Sequence, residues 1–165
     1  MRRVLAVSLA AGARGERPHG ALATDGESVV VAHDASHSLA DPTAHAIARA
    51  LAALASVRQR WRLDGVTVVA THEPCLMCAG ALVAARVDRL IFGTGVPDGA
   101  AGSRYNVCAD PRLGHEVEVI SGVLASECAA LDLVAHARDA RVDSGAPPDL
   151  DGAVSGERDD DPLVP

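Results

Sequence analysis

Apolar and polar positions alternate along the chain in a way that predicts short helices and strands one after another. Residues 3–13 predict an amphipathic helix that ends near Gly15. Two strands are expected next, at about residues 20–24 and 27–33, because the Asp25-Gly26 dipeptide between them favours a tight hairpin turn. The N-terminal part of the chain therefore predicts a helix followed by a β-hairpin.

Further helices and strands are expected after the hairpin. Asp41-Pro42 predicts the start of a helix that runs to about Val57, since aspartate caps helices and proline suits the first helical position. The nearly continuous apolar run at residues 66–70 is typical of a central strand. The remaining expected elements are a helix at 74–85, a strand at 90–92, a strand at 117–120 and a helix at about 123–140. This order predicts a layered α/β fold whose sheet is mostly parallel after the hairpin.

Composition divides the chain into a folded part and an acidic end. With 165 residues, of which 48% are hydrophobic, the chain is long enough for one domain with a sizeable core. After Val142, proline, glycine and aspartate dominate, and little remains to bury. We therefore expect one domain over residues 1–142 and a disordered acidic tail over residues 143–165.

Most of the negative charge lies in that tail. The net charge is −7, and the tail holds almost all of it, while the rest of the chain is close to neutral. No basic face is apparent, so the charge balance does not indicate nucleic-acid binding. No apolar run reaches the length of a membrane span, and the N-terminal apolar stretch is barely long enough for a signal peptide. We expect a protein of the reducing cytoplasm with no membrane association.

Two cysteines and a histidine have the spacing of zinc ligands. Cys75 and Cys78 stand three residues apart at a predicted helix start, where the helix dipole favours thiolates, and His45 lies near the start of another predicted helix. If the two helices pack side by side, these ligands can converge on one Zn²⁺ ion and leave its fourth position to water. Cys128 is expected to be a small buried residue of the last helix. The role of Cys108 stays open, including a fourth ligand that would close the site.

Four segments of the chain resemble motifs of the cytidine deaminase superfamily, and most of all those of the bacterial tRNA adenosine deaminases. They are residues 41–46 (D-P-T-A-H-A), 71–82 (T-H-E-P-C-L-M-C-A-G-A-L), 99–103 (G-A-A-G-S) and 122–131 (G-V-L-A-S-E-C-A-A-L). The resemblance covers about residues 3–135. It implies a cytidine deaminase-like three-layer α/β/α fold with a five-stranded mixed sheet, zinc-dependent hydrolytic deamination, and usually a dimer. It also implies that Asp34 and Ala44 occupy substrate-binding positions.

The departures from the family pattern fall in the implied pocket. The family places a glutamate two residues after its zinc-binding histidine, as the general acid and base, and this chain has Ile47 there. The family's base-binding asparagine falls near Asp34, its loop aspartate near Val96 and its loop lysine near Asp98. Members that act on tRNA end in a helix rich in aromatic and cationic residues. In this chain, the segment after residue 138 is rich in acidic residues instead.

Three functions are compatible with this pattern. The preferred hypothesis is a zinc-binding deaminase-family protein with impaired catalysis, which acts as a binding or partner subunit in a homodimer or in a heterodimer with an active deaminase homologue. The resembled family offers a precedent in the eukaryotic wobble deaminase, a heterodimer in which one subunit lacks the glutamate. The alternative is an active zinc deaminase of a nucleoside, a nucleobase or tRNA adenosine, with Asp34 or a partner's residue carrying the proton. The third is a structural zinc protein with no nucleobase ligand.

The remaining histidines show no shared spacing. His19 takes an apolar position of the family and is expected to border the pocket. The others are expected at the surface or in satisfied packing positions: His33, His37, His72, His115 and His136.

Overall fold

The computed structural model describes residues 1–142, with side chains through residue 133, and shows one mixed five-stranded sheet. The strands lie in the order β2-β1-β3-β4-β5, and β1 runs antiparallel to both of its neighbours while β3, β4 and β5 run parallel. Their bounds are β1 Gly20–Thr24, β2 Val29–His33, β3 Thr67–His72, β4 Arg89–Thr94 and β5 Glu118–Ile120. The three strands after the hairpin are parallel to one another, as the alternation of elements predicts, and β1 joins the hairpin to them through an antiparallel pairing with β3. The predicted tail, residues 143–165, lies outside the described residues.

Helices cover both faces of this sheet. They are α1 Arg2–Ala13, α2 Ala46–Arg58, α3 Leu76–Ala84 and α4 Ala125–Val142, with one 3₁₀ turn at Pro111–Leu113. A Cβ atom added to Gly20 would meet Ser8 and Val4 of α1, whereas the next residue, Ala21, belongs to the core cluster that includes Leu54 of α2. Since successive strand residues point to opposite faces, α1 and α2 lie on opposite sides of the sheet. The three-layer α/β/α arrangement is confirmed.

The hairpin and the strand-helix order agree with the sequence pattern. Asp25 accepts hydrogen bonds through Oδ1 from the backbone N–H groups of Glu27 and Ser28, and Gly26 has a φ of +94°. This turn fixes the register in which Thr24 pairs with Val29, so β2 begins two residues later than expected. In the described part of the chain, no helix combines the length and the apolar character needed to cross a membrane.

The second helix starts later than Asp41-Pro42 predicts. Asp41 Oδ1 accepts hydrogen bonds of 2.7 Å and 2.6 Å from the backbone N–H and the hydroxyl of Thr43. This local turn competes with helical hydrogen bonding, so α2 begins only at Ala46 and His45 is its N-cap. Likewise α3 begins at Leu76 rather than at Pro74, and its N-cap is Cys75. Two of the three candidate ligands therefore occupy extended backbone positions directly before a helix.

Candidate zinc centre and adjoining pocket

Three side chains with metal-binding atoms meet where α2 and α3 begin. His45 precedes α2, Cys75 precedes α3, and Cys78 lies in the first turn of α3. The His45 Nδ1 atom lies 3.5 Å from the Cys75 Sγ atom and 3.6 Å from the Cys78 Sγ atom. The packing of α2 on α3 thus brings together the three residues that the sequence indicates as ligands.

The spacing of these donor atoms fits a tetrahedral zinc ion. Zinc binds histidine nitrogen at about 2.1 Å and cysteine sulfur at about 2.3 Å, so tetrahedral angles place nitrogen and sulfur roughly 3.6 Å apart. The two nitrogen–sulfur distances are 3.5 Å and 3.6 Å. His45, Cys75 and Cys78 would therefore hold Zn²⁺ and leave one coordination position to water or a ligand, as in catalytic zinc sites.

The two thiols of the centre have different acidities when they face each other without a metal. A hydrogen bond from Cys78 lowers the pKa of Cys75 to about 5, although burial opposes the shift. The same hydrogen bond and burial raise the pKa of Cys78. The pair therefore shares one proton at neutral pH, and zinc binding would displace it, because cysteine binds zinc as the thiolate.

Cys108 does not belong to this ligand group. Among the described residues, the group whose donor atoms lie within 4.8 Å of one another around this centre consists of His45, Cys75 and Cys78. Cys108 is fully buried as a free thiol, and burial raises its pKa to about 11. It packs in the hydrophobic core instead, and the fourth position of the centre stays available to a ligand.

A cavity of about 300 Å³ adjoins the three candidate ligands. It is lined by the segment before β1, the start of α2, the end of β3 and the loop at residues 96–98. Every position at which the sequence departs from the family pattern in the implied pocket lines this cavity: Asp34, Ile47, Val96 and Asp98. Ala44, the other candidate substrate-binding residue, is buried and is not among the lining residues. Its carbonyl oxygen accepts a hydrogen bond from the backbone N–H of Ala35.

Ile47 gives the cavity an apolar wall close to the candidate metal ligands. It is the second residue of α2, only 5% of its surface is exposed, and it also belongs to the hydrophobic core. A branched alkyl group can neither accept nor deliver a proton. Acid–base chemistry in this cavity therefore depends on its other lining side chains.

Glu73 lines the cavity, but its carboxylate already holds a loop in place. Glu73 Oε1 accepts hydrogen bonds from the backbone N–H groups of Ala101, Gly102 and Ser103, and Oε2 accepts one from the Ser103 hydroxyl. Burial alone would raise the pKa of Glu73, but these hydrogen bonds outweigh it and hold the pKa below its usual value. Glu73 is therefore an ionised anchor of the loop at residues 101–103.

Asp34 is a second carboxylate of the cavity wall. Its exposed fraction is 1%, and its Oδ1 atom accepts a hydrogen bond of 3.0 Å from the backbone N–H of Ser36. Its own backbone N–H donates to the carbonyl of His19, which holds the residue beside the segment that leads into β1. Asp98, the third lining carboxylate, is exposed. Asp34 is thus the buried carboxylate of the wall that does not anchor the loop.

Two histidine rings in contact form another part of the wall. The ring centroids of His19 and His72 lie 4.1 Å apart, and both residues line the cavity. Burial and the neighbouring His72 lower the pKa of His19 to about 4, although Asp132 opposes the shift. Burial also lowers the pKa of His72, whose Nε2 atom lies 3.0 Å from Asp132 Oδ1. Both imidazoles are therefore neutral at pH 7.

Sequence reasoning places His19 at the cavity but does not place His72 there. His19 borders the cavity as expected. His72 is buried and hydrogen-bonded, as a packing residue would be, yet it also faces the cavity. The sequence signal for His72 is its place at the end of the central strand, three residues before Cys75, which puts it beside the candidate ligands.

The fold and this centre together define a class of protein. A five-stranded mixed sheet carries, at two helix N-termini, one histidine and two cysteines arranged for a zinc ion with an open position. Zinc-dependent nucleobase deaminases use this donor set. A sequence model of the cytidine and deoxycytidylate deaminase zinc-binding region matches residues 1–94, and the chain belongs to that family.

Among individual proteins, the chain is similar to tRNA adenosine deaminases. The chain is 42% identical over 131 residues to the tRNA-specific adenosine deaminase of Haemophilus influenzae, a match that covers 78% of this chain and 76% of that protein. A solved structure from work on A-to-I editing by tRNA:A34 deaminases at the wobble position superposes with a TM-score of 0.74 at 33% identity, covering 78% of this chain and 94% of the other. A rat protein named probable inactive tRNA-specific adenosine deaminase-like protein 3 is 47% identical over 68 residues, which is 41% of this chain and 20% of that protein.

Proposed function

We propose that this chain binds zinc through His45, Cys75 and Cys78, holds a nucleobase-containing ligand in the adjoining cavity, and deaminates it poorly or not at all. Its role is then that of a binding or partner subunit. The observation that carries the proposal is Ile47, whose side chain lines the cavity at the position of the family's glutamate.

The chemical reason is the missing proton carrier. Zinc, when bound, lowers the pKa of a coordinated water and so makes a nucleophile available at neutral pH. The amine that leaves must still receive a proton, and the family glutamate transfers it. General acid and base catalysis contributes typically about 10²–10⁴-fold to a rate, so its loss leaves the pocket able to bind but slow to turn over.

A partner role is supported by two further observations. The rat relative is named a probable inactive deaminase-like protein. Its name thus gives an example of a related sequence that is considered non-catalytic. The start of α3 also exposes apolar surface, with Leu76 51% and Met77 38% exposed. We propose that this surface belongs to a dimer, formed with a second copy or with an active deaminase.

The alternative is an active deaminase that uses Asp34. This carboxylate is buried, lines the same cavity and is not occupied with anchoring the loop, so it is the residue of the wall best able to replace the glutamate.

One experiment separates the two possibilities. The zinc-loaded full chain is incubated with adenosine, cytidine, guanine and a tRNA anticodon stem-loop, and product is quantified by mass spectrometry. Calorimetry of the same mixtures measures binding. We expect binding of at least one of these ligands that is lost in Cys75→Ala, with turnover about 10²–10⁴-fold below that of an intact family member. Turnover at the rate of an intact member that disappears in Asp34→Asn, and persists in the control variant Glu116→Gln at an exposed carboxylate outside the cavity, would establish the alternative instead.

A further inference from the structure

A second group of metal-binding atoms stands on the wall of the same cavity. It consists of His19, His72 and Asp132, which come from the segment before β1, the end of β3 and the helix α4. One donor atom from each side chain lies within 4.8 Å of the other two. These residues are separate from His45, Cys75 and Cys78, and the proposed function assigns them no metal ion.

We propose that His19, His72 and Asp132 bind a second divalent transition-metal ion, such as Zn²⁺ or Co²⁺. Two imidazoles and one carboxylate form a donor set that such ions take in proteins, with the remaining positions open to water or a ligand. Because the residues come from three different elements, the ion would tie α4 to the C-terminal end of the central strand β3 and to the segment before β1.

The distances require only a small adjustment. Nitrogen and oxygen donors bound to one ion at about 2.1 Å stand roughly 3 Å apart at right angles and about 3.4 Å apart at tetrahedral angles. His72 Nε2 and Asp132 Oδ1 are already 3.0 Å apart, and His19 Nε2 is 4.0 Å from the same oxygen. The three donor atoms lie within 4.8 Å of one another, so a rotation of the half-buried His19 ring that moves its nitrogen by about 1–1.5 Å would complete the set.

Thr71 gives His72 the supporting contact that metal-bound histidines need. A histidine that binds a metal through one ring nitrogen usually donates a hydrogen bond from the other. His72 Nδ1 lies 2.9 Å from the fully buried Thr71 Oγ1, which itself accepts a hydrogen bond from the Gly20 N–H. Without an ion, the Thr71 hydroxyl donates to Nδ1 and the Nε2–H group of His72 donates to Asp132.

Ion binding then needs only a change of tautomer at His72. Its proton moves from Nε2 to Nδ1 and is donated to Thr71 Oγ1, while the threonine hydroxyl turns to the Gly20 carbonyl 3.5 Å away. No proton leaves the protein in this step, since the ring is neutral before and after.

The electrostatic surroundings favour a cation. Both imidazoles are neutral at pH 7, so neither must lose a proton before it binds an ion. Asp132 and Asp34 both lie close enough to His19 to affect its charge, and Arg17 is the cation that opposes them. The Asp132 side chain is 41% exposed, which leaves a path from solvent.

The proposal is tested by counting ions on the zinc-loaded full chain. Equilibrium dialysis against micromolar Zn²⁺, followed by elemental analysis, should give two ions per chain for the wild type and one for Asp132→Asn. Cobalt titration distinguishes the two metal sites, because only the site with Cys75 and Cys78 gives a sulfur-to-cobalt charge-transfer band. Cys75→Ala should lose that band and keep the second ion. Asp98→Asn, which removes another carboxylate from the same cavity, should still bind two ions.

A stability measurement guards against a variant that merely misfolds. Added Zn²⁺ or Co²⁺ should raise the melting temperature of the zinc-loaded wild type, because the ion binds the folded state, and should raise it much less in Asp132→Asn and in His19→Gln. One ion per chain in the wild type would overturn the proposal. So would a second ion bound with unchanged affinity by both variants. Neither result depends on whether the chain deaminates anything.

Discussion

Ile47 is a branched alkyl side chain in a cavity wall that also holds carboxylates, imidazoles and thiols. The three other positions at which the family resemblance implies a departure are Asp34, Val96 and Asp98, and all three line the same cavity. A pocket in which several contact positions differ does not regain its chemistry when one of them is restored, because residues in contact are not independent.

Ile47→Glu alone is therefore expected not to restore deamination of adenosine in a tRNA anticodon stem-loop. The glutamate would reach the candidate metal centre, but Asp34 and Asp98 would still present the wrong charges to the substrate. Inosine formation is the measurement, and Ile47→Gln is the isosteric control. Inosine produced by the glutamate variant and not by the glutamine variant would show that Ile47 is the only lesion.

Zinc content gives a second prediction for single residues. The wild-type chain should retain at least one zinc per chain after dialysis, and Cys75→Ala should lose one, because two remaining donors hold the ion much less tightly. The Cys75 and Cys78 thiols should resist alkylation until a chelator is added. Cys128→Ala is the control, since its buried thiol lies outside the ligand group. Equal zinc in the Cys75 and Cys128 variants would contradict the ligand assignment.

At the scale of elements, the loop that follows β4 is held by one carboxylate. A Cβ atom added to Gly99 would collide with the Glu73 carboxyl group, whereas one added to Gly102 would meet nothing within 4 Å. The Glu73 carboxylate cannot retreat without giving up its hydrogen bonds to residues 101–103.

Gly99→Ala should therefore destabilise the chain by about 1–3 kcal/mol, the usual cost of forcing an extra methyl into a packed site. Gly102→Ala, in the same loop, should change the free energy of unfolding by less than about 0.5 kcal/mol. Urea denaturation monitored by circular dichroism measures both values. Equal stability of the two variants would mean that Glu73 does not fix the loop.

The sequence predicts the elements of this fold better than their starting points or their contacts. Periodicity and the Asp25-Gly26 turn suffice to locate the strands, because these signals are local. The predicted start of α2 at Asp41-Pro42 is wrong, because Asp41 forms a turn with Thr43 that the sequence pattern does not distinguish from a helix cap. The contact between His72 and Asp132 spans 60 residues. Neither side chain carries a local signal of the other, so this part of the site appears only in three dimensions.

At the scale of the whole molecule, charge and exposed apolar surface bear on what the chain can associate with. Among the described residues, the large hydrophobic side chains that are exposed include Leu76 and Met77 at the start of α3. The net charge of −7 opposes approach to a polyanion.

Binding to tRNA is expected to be weak, around micromolar or weaker at physiological salt, because phosphate contacts by cationic side chains provide most nonspecific affinity. Deleting residues 143–165 removes most of the net negative charge and should tighten binding. Filter binding at several salt concentrations compares the full and shortened chains. Submicromolar binding by the full chain with a steep salt dependence would argue against this expectation.

The chain is expected to be a dimer at tens of micromolar, since closed two-fold dimers are the commonest way to cover such apolar surface. Light scattering measures the mass, and Leu76→Glu should shift it towards the monomer while Leu133→Glu, at another exposed leucine, should not. A monodisperse wild-type monomer would exclude the homodimer. Co-elution with an active homologue then tests the heterodimer.

The N-caps of α2 and α3 have a consequence for the life of the protein in a cell. His45 and Cys75 hold the positions where a side chain usually accepts a hydrogen bond from the first turn, and neither makes that bond. Bound zinc would accept no hydrogen bond there, but its bonds to His45 and Cys75 would hold both helix starts in place. In a zinc-starved cell these two turns would be the first to fray and to meet a protease, so the abundance of the protein would follow the supply of the metal.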